Sequence, residues 1–209
     1  MISKIFSVVS LFILGTIDKI GYLGVFLLMA VESLNIPIPS EIIMPFSGFL
    51  VSRNHFNLFL LVLIGALGNL FGSLVSYGIA AIIGQPLVER LKKIPFFEDD
   101  YNRAEKFFKK HGSSSVFLGR MIPIIRTFIS FPAGIFKIPF WKFSFLTFSG
   151  SFLWSGLMAA IGFYLGENWR ILEGYFRKFD YLIAIVIIGA MGYYIYRKFK
   201  TQNSKLKVQ

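Results

Sequence analysis

Long apolar runs separated by short polar breaks set the pattern of this chain. Residues 20–31 form a solid apolar core that, continued through Leu34, predicts a slightly short spanning helix; it should end near Asn35, because Pro37 removes a backbone donor and constrains residue 36. Residues 58–84 and 143–166 are each long enough to cross ~30 Å of hydrocarbon with some tilt. A last apolar run, 181–196, precedes a basic tail. At the start, Lys4 and the apolar residues 5–17 lack a cleavage signal and predict a retained amphipathic or partly inserted helix. Two stretches break the pattern. Residues 36–50 hold Pro37, Pro39, Pro45 and Gly48, and residues 120–136 hold Pro123, Pro132 and Gly134. Both are too short and too interrupted to span, and each predicts a re-entrant hairpin shaped by those prolines and glycines.

The order of broken stretch, polar break and long span occurs twice. Gly65, Gly68, Gly72 and Ser76 on the first long span, and Ser151, Ser155, Ala159, Gly162 and Gly166 on the second, place small residues on one face for close packing. Residues 86–111 are polar, with Asp99 or Asp100 as N-cap, Tyr101, Ala104, Phe107 and Phe108 at helical spacing, and Gly112 as a stop. They predict a helix on the membrane surface. The expected architecture is an all-α polytopic membrane protein. It is an inverted repeat of re-entrant hairpin plus long transmembrane helix, with extra N- and C-terminal helices.

Composition agrees: 55% of residues are hydrophobic and 25 are Phe, above the 45–50% apolar share usual in soluble domains. No polar linker divides the 209 residues, so one membrane domain is expected. The net charge of +11 sits beside hydrophobic spans and not in a basic arm, which argues against nucleic acid. Its distribution predicts orientation. Lys4, Lys19, the basic residues of 90–110, Lys137, Lys142 and those of the tail make 16 on one side; Arg53, Arg170, Arg177 and Lys178 make 4 on the other. The richer side, with both termini, should be cytoplasmic. With no Cys and two distant His, neither a disulfide nor a metal site is expected. Gly112-Ser113-Ser114-Ser115 lacks the lysine of a nucleotide loop, and no nucleophile stands with a base, so neither a cofactor nor an enzyme is expected. A homo-oligomer stays open. Trp141, Trp154, Trp169 and Tyr193-Tyr194 read as interface anchors.

The chemistry lies in the two broken stretches. Arg120 and Arg126 flank Pro123, so a bent hairpin can turn both guanidiniums into one cavity, where their donor forks suit phosphate oxygens. Glu32 and Glu41 flank the acidic stretch, where carboxylates can exchange protons with the outer aqueous phase or pair with an arginine. Arg120 and Arg126 are therefore candidate phosphate ligands, and Glu32 and Glu41 candidate proton-coupling and gating groups.

Glu32 with Pro37-Ile38-Pro39-Ser40-Glu41, the helix of Gly68, Gly72 and Tyr77, and Gly119-Arg120-Met121-Ile122-Pro123-Ile124-Ile125-Arg126 with Pro132-Ala133-Gly134 resemble the DedA family. That family shares its membrane domain with the VTT lipid scramblases. The resemblance covers about residues 20–168, leaving 169–209 as an outer turn, a last transmembrane helix and a cytoplasmic tail. It implies paired re-entrant hairpins in inverted repeat, functional acidic and arginine residues, and translocation of phospholipid or polyprenyl phosphate across the bacterial cytoplasmic membrane. Undecaprenyl phosphate is favoured because a single exposed phosphate matches an arginine pair. A phosphatidylethanolamine flippase or scramblase and a proton-coupled antiporter of small cations or solutes are the alternatives. Ser40 stands where the family more commonly has Gly, and no Arg follows Tyr77-Gly78. Those departures leave the substrate subgroup open.

Overall fold

The computed structural model describes residues 2–36, 40–91, 97–122 and 125–168. All their regular structure is helical: α1 (Ile2–Ser33), α2 (Ser40–Ser52), α3 (Leu58–Leu91), α4 (Phe97–His111), α5 (Ser114–Arg120), α6 (Ile125–Phe128), α7 (Ser130–Ile135) and α8 (Phe140–Leu165), closed by a 3₁₀ turn at Gly166–Asn168. Among the described residues three helical segments are long and apolar enough to cross a membrane: Val8–Ser33, Leu58–Gly84 and Phe140–Leu165. The last apolar run, Trp169, Tyr193-Tyr194, Pro37, Pro39 and Pro123 lie outside the described residues.

The first apolar core departs from expectation. α1 is broken at Gly21, whose φ of 58° and ψ of −131° suit a residue without a Cβ. Past that break the chain turns alongside α3 and runs with it. The Tyr22 hydroxyl accepts the Asn57 N–H at 2.6 Å, Phe26 meets Gly68, Ala30 meets Gly72, and the Ser76 hydroxyl donates to the Asn35 side chain at 2.9 Å. α2 then leads back to the loop at 53–57. Residues 22–33 and α2 are therefore two arms, one running out along α3 and the other back to the same end of the bundle. Pro45 does not break α2, because it sits within the first two turns of a helix that tolerates one missing donor. Placing Tyr22 against Asn57 also puts Lys19 at the same end of the bundle as Arg53, correcting its assignment to the opposite side. The charge excess survives that single move.

The second broken stretch behaves alike. α5 runs along α8, its Arg120 stem against Gly150, and after α6 the chain continues into α7, which packs on α3 with Gly134 against the Tyr77 carbonyl. In each half, the arm entering the hairpin lies along that half's own long helix, and the returning arm crosses to the other's. Small residues permit those crossings. A Cβ at Gly48 would sit 2.1 Å from the Ala159 carbonyl oxygen, and one at Gly162 would sit 2.0 Å from that of Pro45. α3 and α8 pass antiparallel to each other: Tyr77 stacks on Phe143 at 4.6 Å, and Asn69 meets Ser151. α4 spans Phe97–His111, starting two residues before the expected caps, and ends at Gly112 with φ of 53°. Its Phe108 is buried against Phe136. Trp141 is 82% exposed.

Candidate functional site

The two turns bring their charges together. Glu32 closes α1 and Ser40 opens α2, on either side of the first turn; Arg120 closes α5 and Arg126 lies in α6, on either side of the second. Glu32, Arg120 and Arg126 are 3%, 2% and 5% exposed. At such burial a charge persists only if its hydrogen-bonding positions are filled.

Arg126 Nη2 donates to Glu32 Oε1 at 2.5 Å and to the Ser40 hydroxyl at 2.6 Å, and its guanidinium lies 4.8 Å from the centre of the Trp154 ring. That combines ion pair, hydrogen bond and cation–π contact on one group. Arg120 is held differently. Its Nη1 donates to Asn69 Oδ1 at 2.8 Å and to the Ser151 hydroxyl at 3.4 Å, while Nη2 donates to the hydroxyls of Ser73 at 2.8 Å and Ser130 at 2.9 Å. Every one of these partners is neutral. Asn69 links the two arginines' surroundings, because its Nδ2 donates to Glu32 Oε2 at 3.4 Å while its Oδ1 also accepts from Ser151 at 2.8 Å. The buried network thus holds two guanidiniums and one carboxylate, a surplus of one positive charge.

Glu41 stands apart from the ion pair. It is half-buried, and its Oε2 receives the Ser40 hydroxyl at 3.5 Å, the outer limit for a hydrogen bond. Pro45, Gly48, Pro132 and Gly134 serve the crossings behind the site: Pro45 and Gly48 face α8, and Gly134, two residues after Pro132, faces α3. Several network members escaped the sequence reading. Asn69 and Ser73, one turn apart inside the apolar α3, form a polar line that could have marked them; Ser151 reads from the sequence as a small packing residue. Trp154 is corrected: it is 8% exposed and lies beneath Arg126, buried inside the helix bundle. An indole was taken for an anchor because its partner comes from 28 residues earlier in the chain.

The VTT domain model matches residues 38–164, which carry α2, α3, α5, α6 with Arg120 and Arg126, α7 and nearly all of α8. The chain belongs to the VTT domain family, of DedA type. Among its relatives, the uncharacterized membrane protein YkoX of Bacillus subtilis is 35% identical over 194 residues, covering 91% of this chain and 86% of YkoX. Undecaprenyl phosphate transporter A of Bacillus subtilis is 30% identical, covering 89% of this chain and 93% of that protein. Its namesake from Staphylococcus aureus is 28% identical, with 87% and 92% covered. No solved structure matches the chain significantly. With three candidate spans among the described residues and membrane-protein relatives, this is a helical membrane protein.

Proposed function

We propose that the protein carries a phosphate-bearing lipid between leaflets of the cell membrane, with undecaprenyl phosphate the favoured cargo, at a site built by two opposed re-entrant hairpins. The observation that carries this reading is the surplus charge: Arg120 is buried among neutral oxygens, so the network as a whole favours an anion. A small-cation antiporter would use Glu32 but would meet a net repulsive site. The relatives named undecaprenyl phosphate transporter A lend weight to the cargo.

Arg126 is the exchangeable ligand. A proton arriving on Glu32 removes the carboxylate's charge, loosens its hold on Arg126 and raises the network from one surplus positive charge to two. A phosphate oxygen then takes the carboxylate's place on Nη2, and loss of the proton reverses the exchange. Glu41, half-buried beside Ser40, gates proton access to Glu32. Proton binding and phosphate binding are thus cooperative through one guanidinium. Packing each returning arm on the other half's long helix suits an inverted repeat whose site opens alternately to the two sides.

Lipid that co-purifies with the protein tests this. Mass spectrometry of wild type should find polyprenyl phosphate enriched over the membrane extract, and Arg126→Ala should lose that enrichment about tenfold or more, as removal of a charge-assisted contact implies. Equal lipid content in the two preparations would refute the reading.

A further inference from the structure

Four buried side-chain atoms find no hydrogen-bond partner among the described residues: Arg120 Nε, Thr147 Oγ1, Trp154 Nε1 and Ser155 Oγ. Native proteins leave few such groups, because each gives up its bonds to water and gains none in return. The kind of atom is informative. A guanidinium Nε–H and an indole N–H can only donate, and both hydroxyls have a proton to give. A set of four donors without acceptors complements a guest rich in acceptors.

Three of the four lie on α8, and with Ser151 they occupy about 100° of its circumference at ~100° per residue. Along that face the arginines come at successive turns. The Arg120 stem lies against Gly150, where an added Cβ would be 3.1 Å from the Arg120 Cβ, and Arg126 lies over Trp154. Those levels differ by four residues, or ~6 Å of rise. Thr147 stands about one turn to one side of this pair, and Ser155, next to Gly65 of α3, just to the other.

Resting on the lipid-phosphate reading, we propose that this inner face of α8 is the headgroup's track, and that Thr147, Trp154 and Ser155 are phosphate ligands in addition to the arginines. The phosphate passes from Arg120 to Arg126 and finds a donor at each turn: the Thr147 hydroxyl before the arginine pair, the Trp154 N–H beside Arg126, and the Ser155 hydroxyl beyond. The ring face of Trp154 keeps Arg126 in place while its edge serves the cargo. The two roles of the indole are separable, because phenylalanine retains the face and lacks the N–H.

The experiment uses the full chain in nanodiscs, with Trp141→Phe and Trp169→Phe leaving Trp154 as the sole tryptophan of the original three. Farnesyl phosphate is expected to shift Trp154 emission saturably, farnesol to leave it unchanged, and inorganic phosphate to act far more weakly, which separates a lipid headgroup from the free ion. In vesicles, Trp154→Phe, Thr147→Val and Ser155→Ala should each slow labelled polyprenyl phosphate flux by about tenfold, the worth of one hydrogen bond to a charged group. Thr147→Ser should restore it. If Arg126→Ala abolishes flux while Trp154 emission ignores farnesyl phosphate and the three variants run at wild-type rate, the track is refuted and the lipid reading stands. If Arg126→Ala leaves flux intact, both fall.

Discussion

Arg126→Ala should destabilise the protein by about 3–5 kcal/mol, more than alanine at any exposed arginine, because it strands the Glu32 carboxylate in the interior. The loss lies less in the missing contact than in the unpaired charge left behind. Adding Glu32→Gln to Arg126→Ala removes that charge and keeps an amide able to receive the Asn69 amide, so the double variant should melt well above Arg126→Ala alone. Thermal unfolding in detergent for the wild type, both single variants and the double variant checks this. Strict additivity would mean that the pair is not coupled in the folded protein. Arg120→Ala is expected to cost less, since its partners are neutral and Asn69, Ser73, Ser130 and Ser151 can turn to one another.

Gly162→Leu carries the second large effect. Even the first side-chain carbon would meet the Pro45 carbonyl at 2.0 Å, and backbone cannot rotate away as a side chain can. α2 and α8 must separate, which loses the Gly48–Ala159 contact at the same crossing and withdraws Ser40 from Arg126. A loss of about 3 kcal/mol or more in stability is expected, at the upper end for overpacking. Gly78→Ala provides the contrast. It lies in α3 with nothing within 4 Å of an added Cβ, so its melting temperature should stay level or rise. A drop at Gly78 equal to that at Gly162 would show that glycine content, not close approach, decides stability here.

What the sequence made legible follows from what is local. The long helices α3 and α8, the helix over Phe97–His111 and the small-residue faces of α3 and α8 depend on periodicity and length, and the structure has them nearly where expected. Gly21 was missed because nothing beside it is unusual: the break is imposed by Tyr22 and Phe56 meeting across 34 residues. Without it, residues 20–34 read as a crossing helix, and Lys19 fell on the wrong side. The charged residues announced themselves, since charge in an apolar chain is costly wherever it lies. Their neutral partners did not. A serine in a membrane helix serves packing and hydrogen bonding alike, and only the arrival of Arg120 from another helix distinguishes Ser73 and Ser151 from Ser144, which simply bonds the carbonyl of Phe140.

The central claim is that the buried arginines serve a lipid phosphate. The most direct measurement is movement of fluorescent polyprenyl phosphate between leaflets of vesicles containing the purified protein, compared among wild type, Arg120→Ala and Arg126→Ala, with melting temperatures confirming that each is folded. The account predicts protein-dependent flux that falls by about tenfold or more in each variant. Flux that is the same in all three would contradict it.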